Sequence, residues 1–155
     1  MSCSATWLVS GRRVALVALA LVIGGCSPTN PSYIANVPFS STDVVTGTGT
    51  EALVGKVLAV DYAGYLYNAS RPENKGTLFD TSLNTDVISF PLGAGAVIRG
   101  WDDGLAGMRI GGLRRLTIPP DLGYGSTGRG PIPPNATLVF DVWLLGVFEP
   151  DQVPQ

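Results

Sequence analysis

Three linked segments between Val97 and Phe140 contain the side chains best suited to forming a binding site. They read Val-Ile-Arg-Gly-Trp-Asp-Asp-Gly, then Leu-Arg-Arg-Leu-Thr-Ile-Pro-Pro-Asp-Leu-Gly-Tyr-Gly, then Ile-Pro-Pro-Asn-Ala-Thr-Leu-Val-Phe-Asp. A short helix bearing a tryptophan, a loop bearing a tyrosine and an apolar strand can together enclose an aromatic pocket with few charges. Such a pocket suits an apolar ligand or a proline ring, and it suits acid–base chemistry poorly.

Residue types and spacing exclude several other kinds of catalytic site. The chain has no histidine, so His-dependent triads and His-containing zinc sites are absent. The glycine-rich segments at 49–57 and 93–100 have the wrong spacing for a phosphate-binding loop and a dinucleotide fingerprint, and we interpret both as turns. A carboxylate pair for glycoside hydrolysis stays open by residue type. However, Asp80, Asp121 and Asp141 are each more simply explained as a turn, cap or pocket-rim residue. We predict neither a cofactor nor a metal.

Composition indicates one globular domain. The chain has 155 residues, of which 45% are hydrophobic and 14% charged, enough to build a core. The net charge is -2 and the basic residues are scattered, which argues against nucleic acid as a partner because no basic stripe is available to neutralise phosphates. We expect the protein to be a monomer.

The N-terminal segment has the features of an export signal. Residues 1–25 contain a basic pair, Arg12 and Arg13, followed by an apolar run at 14–23 that is too short to span a bilayer, which takes about 20 apolar residues. The run ends in Ile-Gly-Gly-Cys, which resembles a bacterial lipobox. We therefore expect cleavage before Cys26, lipidation of its thiol and an exported protein anchored to a bacterial membrane. The alternative is an ordinary signal peptide with a chance cysteine.

The rest of the chain divides into three parts. Residues 26–41 are rich in Pro, Ser, Thr and Asn and predict a flexible tether. Residues 42–148 form the predicted domain, and 149–155 a polar tail. Because Cys3 leaves with the signal peptide and Cys26 is acylated, we expect no disulfide in the mature chain.

Apolar periodicity within the domain predicts an α+β fold, with an antiparallel sheet wrapped around one short helix. The helix is expected at 97–106, where Ile98, Trp101 and Leu105 share one face. Strands are expected at 56–66, 77–80, 87–90, 113–118 and 137–147.

Five motifs in sequence order resemble those of the FKBP family, the macrolide-binding peptidyl-prolyl isomerases, over residues 44–147. They are Val60-Asp61-Tyr62-Ala63-Gly64, Phe79-Asp80-Thr81-Ser82, Val97-Ile98-Arg99-Gly100-Trp101, Tyr124-Gly125, and Ile132-Pro133-Pro134 leading to Leu138-Val139-Phe140-Asp141.

The resemblance implies a pocket with Trp101 as its floor. It implies that the Tyr124 hydroxyl and the Ile98 N–H donate hydrogen bonds to ligand carbonyls, and that Asp80 is the polar group near the twisting amide. The implied catalytic residues are Tyr62, Asp80, Ile98, Trp101, Tyr124 and Phe140. The implied substrate-binding residues are Phe79, Ile88, Val97, Ile132, which lies on the loop over the pocket, and Arg129.

Three residues differ from the family pattern. Arg129 and Asp61 stand where well-known members carry histidine, and Ile88 stands where an aromatic wall residue is common. The loop after Leu66 is also longer than in a minimal domain. These differences are expected to alter substrate preference and macrolide affinity.

The function implied is acceleration of X–Pro isomerisation in exported proteins, with proline-containing polypeptides as partners and macrolides as ligands. One alternative is a non-catalytic proline-peptide-binding chaperone or adaptor with the same fold. Another is a surface lipoprotein that uses the fold only as a scaffold.

Overall fold

A computed structural model describes residues 37–152. Within them the chain forms six strands and one α-helix, with short 3-10 helices at Pro72–Asn74 and Pro120–Leu122. The elements are β1 Ser40–Val45, β2 Val57–Tyr67, β3 Lys75–Thr81, β4 Ile88–Pro91, α1 Arg99–Leu105, β5 Leu113–Ile118 and β6 Leu138–Phe148.

The strands form one antiparallel sheet in the order β1-β5-β6-β2-β3, and β4 also pairs with β2. Strand β4 pairs with the first part of β2, from Val57 to Val60, and β3 pairs with its second part, from Ala63 to Tyr67. The two short strands therefore share one edge of the long central strand. The predicted fold class, an antiparallel sheet with one short helix, is confirmed.

Helix α1 packs on the inner face of the sheet through Trp101 and Leu105, both buried. Two helical glycines make this close approach possible. A Cβ on Gly100 would lie 2.6 Å from Ile118 Cγ2, and one on Gly104 would lie 2.7 Å from Leu116 Cδ2. The helix is shorter than predicted because Ile98, at ψ 145°, and Ala106, at ψ 138°, both have extended backbone.

Strand β6 separates two environments by simple alternation. Its core-facing residues are Leu138, Phe140, Val142 and Leu144, all buried, as the sequence pattern predicts. The intervening Val139 and Asp141 lie on the opposite face and are buried as well.

The first strand begins inside the segment predicted to be a tether. Ser40 pairs with Thr117 of β5, the Ser41 hydroxyl donates to the Gly104 carbonyl oxygen over 3.0 Å, and Phe39 packs against the core. The prediction that the tether reaches residue 41 is therefore wrong, because residues 39–41 belong to the folded domain. Every residue of β1 is exposed, so the strand lacks the apolar alternation that identifies strands in a sequence.

The predictions for the signal peptide, for lipidation at Cys26 and for most of the tether concern residues outside 37–152. Within that range, no helix combines the length and apolar character needed to cross a membrane.

Candidate active site

A cavity of about 480 Å³ opens between the start of α1, the strands β2, β3 and β6, and the loop after β5. It contains all six of the predicted catalytic residues and four of the five predicted substrate-binding residues. Its lining residues are Tyr62, Phe79, Asp80, Ile88, Ala96, Val97, Ile98, Trp101, Tyr124, Arg129 and Phe140. The structure thus brings these side chains together, and their individual roles stay predictions.

Trp101 is the base of an aromatic cluster. It is 4% exposed, and its ring centroid lies 5.2 Å from that of Tyr62, 5.3 Å from Phe140 and 5.6 Å from Phe90. The contacts with Tyr62 and Phe140 are edge-to-face, an arrangement that the ring quadrupoles favour. Sequence reasoning missed Phe90, which is buried beside Trp101 and does not line the cavity.

The Trp101 indole Nε1 is buried and has no hydrogen-bond partner among the described residues. A buried unpaired donor costs about 1–3 kcal/mol. The floor of the cavity is therefore apolar except for one buried donor, the Trp101 Nε1–H, that has no hydrogen-bond partner within residues 37–152.

Gly64 sets the distance between two wall rings. It pairs with Phe140 across β2 and β6, and a Cβ at this position would lie 2.7 Å from Phe79 Cζ and 2.8 Å from Phe140 Cε1. Any side chain here must displace at least one ring. The sequence alone does not show that position 64 requires glycine, because the requirement comes from the packing of Phe79 and Phe140 against it.

The Tyr62 hydroxyl donates a 2.6 Å hydrogen bond to Asp80 Oδ2, and the Thr81 N–H donates to Asp80 Oδ1 over 2.9 Å. Burial, then the hydrogen bond to Asp80 and the negative charge of that carboxylate, raise the pKa of Tyr62 well above its ordinary value. Tyr62 therefore stays protonated at neutral pH and holds Asp80 at the rim of the cavity.

A second set of bonds fixes the backbone of Tyr62. Ser82 is buried, with 3% of its surface exposed. Its hydroxyl accepts a hydrogen bond from the Tyr62 N–H over 2.9 Å and donates one to Asp61 Oδ1 over 2.9 Å. Asp61 thus supports the strand that bears Tyr62. It does not line the cavity.

The turn before Val97 is held by Asp102, whose carboxylate accepts from the N–H groups of Gly93 over 2.8 Å and Gly95 over 3.0 Å. The helix pattern predicts only a solvated position for Asp102. An aspartate following a Gly-x-Gly turn is the signal that could have indicated this bond.

Two hydrogen-bond donors at the cavity wall are free of protein acceptors. Within residues 37–152, neither the Tyr124 hydroxyl nor the Ile98 N–H donates a hydrogen bond to the protein. Ile98 precedes the first turn of α1, where N–H groups have no partner within the helix. Both donors can therefore bind carbonyl groups of a ligand.

Ile132 differs from its predicted place. It is buried, at 6% exposure, and lines a neighbouring cavity of about 390 Å³ instead of the main one. Its N–H donates to the Arg129 carbonyl oxygen, and its carbonyl oxygen accepts from the Arg129 N–H, each over 2.9 Å.

Asp141 is none of the three alternatives that the sequence suggests for it, a turn, cap or pocket-rim residue, because it is buried within β6. Its carboxylate is buried on the outer face of the sheet and pairs with Arg115 and Lys75. Across 37–152, no three His, Cys, Asp or Glu side chains are grouped closely enough to hold a metal ion.

The sequence matches the profile of the FKBP-type peptidyl-prolyl cis-trans isomerase family over residues 49–145. An FK506-binding protein of Neisseria meningitidis serogroup A is 49% identical over 109 residues, which cover 69% of this chain and 94% of the relative. The peptidyl-prolyl cis-trans isomerase FKBP15-3 of Arabidopsis thaliana is 48% identical over 99 residues, covering 64% of this chain and 65% of that protein.

Solved structures agree with the sequence comparison. The crystal structure of AtFKBP13 has 38% sequence identity and a TM-score of 0.61, and the match covers 70% of this chain and 91% of that one. The crystal structure of FkpA from Escherichia coli has the same identity and TM-score, with 72% of this chain and 48% of that chain covered. The chain therefore belongs to the FKBP-type peptidyl-prolyl cis-trans isomerase family and is an enzyme of that class.

Proposed function

We propose that the enzyme isomerises X–Pro bonds of exported proteins by holding the proline ring in the 480 Å³ cavity, above Trp101. The observation that carries this proposal is the pair of unengaged donors, the Tyr124 hydroxyl and the Ile98 N–H, on a wall that is mostly aromatic and aliphatic. A prolyl peptide supplies what such a site lacks, an apolar ring flanked by carbonyl acceptors.

Rotation about an X–Pro bond meets a barrier of about 18–20 kcal/mol because resonance keeps the amide planar. A twisted amide has lost that resonance, and its carbonyl oxygen carries less negative charge. A dry, apolar cavity therefore disfavours the planar amide more than the twisted one. This difference in binding lowers the barrier, and no bond to the enzyme has to form.

The polar groups position the substrate. The two free donors bind carbonyls on either side of the ring and fix its orientation. Asp80, restrained by Tyr62, lies at the rim of the cavity and is the polar group beside the rotating amide. The isomerisation is slow without a catalyst, tens to hundreds of seconds, so a folding exported protein benefits from it.

A protease-free isomerisation assay on a short X–Pro peptide tests this function with the purified full-length protein. We expect acceleration that is abolished by a macrolide of the FK506 type, since the name of the Neisseria relative states that it binds FK506. We also expect Asp80→Ala and Tyr124→Phe to lower turnover without unfolding the domain. Wild-type turnover in both variants would contradict their roles. A folded protein that binds the peptide without accelerating it would favour the non-catalytic binding module.

We further propose that the protein is exported and anchored through a lipid on Cys26. The support is the basic pair, the short apolar run and the Ile-Gly-Gly-Cys sequence. We expect Cys26→Ser to move the protein from the membrane to the soluble fraction and to abolish incorporation of labelled fatty acid. Cys3→Ser is the matched control and should leave both unchanged. Membrane association that persists in Cys26→Ser would show that the anchor lies elsewhere.

A further inference from the structure

We propose that Arg129 gives this enzyme a preference for an acidic residue next to the isomerising proline. The inference rests on the proposed placement of the proline ring above Trp101. It adds a preference for charge in the substrate, which the aromatic contacts and the two neutral hydrogen-bond donors do not provide.

The two cavities are neighbours with a common border. The second, of about 390 Å³, shares Phe79, Asp80, Tyr124 and Arg129 with the first, and its remaining lining residues are Gly130, Pro131 and Ile132. A peptide with its proline in the first cavity must leave it in some direction, and the second offers a continuous groove. The side chain adjacent to the proline then passes the Arg129 guanidinium.

The Arg129 guanidinium has no carboxylate partner within residues 37–152 and lies over the Tyr124 ring, with its carbon 5.9 Å from the ring centroid. Four of the five other arginines in the described chain are each paired with a carboxylate, and the fifth, Arg71, lines neither cavity. The paired ones are Arg99, Arg109, Arg114 and Arg115. The guanidinium can form bidentate bonds to a carboxylate, so Arg129 presents unused donors at the border of both cavities.

The backbone of Arg129 is fixed although its side chain is exposed. Arg129 and Ile132 exchange two backbone hydrogen bonds of 2.9 Å, which close a tight turn through Gly130, at φ 53°. Gly128, at φ 69°, packs so closely that a Cβ would lie 2.4 Å from the Ile132 carbonyl oxygen. This turn keeps the arginine at the groove.

Asp80 is the other charged group that faces both cavities, and it would favour a basic side chain instead. Both of its oxygens already accept hydrogen bonds, from the Tyr62 hydroxyl and the Thr81 N–H. The guanidinium donors of Arg129 have no protein acceptor within residues 37–152, so we expect the arginine to determine the preference.

The experiment measures kcat/KM on peptides that differ only in the residue before or after the proline, with Glu, Gln or Lys at that place. Since the Gln peptide is neutral, turnover of that peptide tests the proposed function by itself. The ratio of kcat/KM for the Glu peptide to kcat/KM for the Gln peptide tests the inference. Taking this ratio normalises each variant to its own activity.

We expect the Glu peptide to be favoured about two- to fivefold at low ionic strength at one of the two positions, the range for an exposed ion pair. The ratio should approach one in Arg129→Gln and in about 1 M salt, and persist in Arg129→Lys. Arg71→Gln, which removes an exposed arginine remote from both cavities, should leave it unchanged. A wild-type ratio near one at both positions, a ratio that survives in Arg129→Gln, or a preference for Lys would overturn the inference while the Gln peptide is still turned over.

Discussion

Phe140 and Asp141 are neighbours on β6, yet they lie in opposite kinds of environment. Phe140 is 3% exposed and faces the cavity, with its ring centroid 5.3 Å from Trp101 and 5.5 Å from Phe79. Asp141 is 5% exposed on the other face, and its carboxylate oxygens lie 2.7 Å from Arg115 Nε and 2.5 Å from Lys75 Nζ. One strand therefore separates a mainly aromatic cavity wall from a dense ion-pair network.

The two faces differ in how completely their polar groups are paired. On the outer face, Glu73, Lys75, Asp141 and Arg115 form a closed network in which every charge has a partner. Burial alone would lower the pKa of Lys75, but its hydrogen bonds to Asp141 and Glu73 raise it. On the inner face, by contrast, the Tyr124 hydroxyl and the Ile98 N–H have no protein acceptor within residues 37–152. The polar groups of the outer face therefore pair with one another, whereas these two donors are available to a ligand.

The largest expected effect on stability comes from removing Asp141 from the ion-pair network of the outer face. In Asp141→Ala, Arg115 and Lys75 lose their buried partner, and we expect the free energy of unfolding to fall by about 3 kcal/mol, measured by urea denaturation. Asp121→Ala, at an exposed position with no ion pair in the described chain, is the control. Turnover per folded molecule should stay close to wild type, since Asp141 does not line the cavity. A loss of turnover larger than the folded fraction explains would contradict the separation of the two faces.

The next effect is expected from crowding the inner face. Gly64→Ala places a methyl group against the Phe79 and Phe140 rings, and overpacking of this kind costs about 1–3 kcal/mol. Unlike the outer variant, it should lower both stability and kcat/KM, because the rings that move are cavity walls. The double variant Gly64→Ala/Phe79→Leu replaces one of these rings with a smaller side chain, and it should recover part of the lost free energy of unfolding. A Gly64→Ala variant with unchanged kcat/KM would show that the wall positions are not critical.

A smaller effect is expected from the link between Tyr62 and Asp80. Tyr62→Phe removes the 2.6 Å hydrogen bond and keeps the ring, so stability should fall by only about 1 kcal/mol. Turnover should fall more than stability suggests, since Asp80 then loses its restraint. Tyr67→Phe, whose hydroxyl makes no side-chain hydrogen bond in the described chain, is the matched control. Equal kinetics in the two variants would argue against the positioning role of Tyr62.

The sequence predicts the inner face better than the outer one. Trp101, Leu105 and Phe140 occur at helical or strand spacing, so their burial follows from periodicity. The motifs that carry the family resemblance contain eight of the ten predicted residues that line the cavity; Ile88 and Arg129, which differ from the family pattern, are the other two. What the sequence does not predict depends on contacts between distant segments. Asp141 is buried only because Lys75 and Arg115 converge on it, and β1 exists because a polar segment completes the edge of β5.

The smallest effect concerns pH, and it distinguishes the two faces by a different measurement. The raised pKa of Tyr62 means that its contribution to stability is fully present below the unfolded value of about 10 and is lost as pH rises toward the higher folded value. The stability difference between wild type and Tyr62→Phe should therefore be constant from pH 6 to 9 and shrink above pH 10. Over the same neutral range kcat/KM should be flat, because the chain has no histidine to titrate at the site. A stability difference that shrinks below pH 9 would mean that Tyr62 ionises too easily to hold Asp80. The hydrogen bond from Tyr62 would then not be what keeps Asp80 in position at the rim of the cavity.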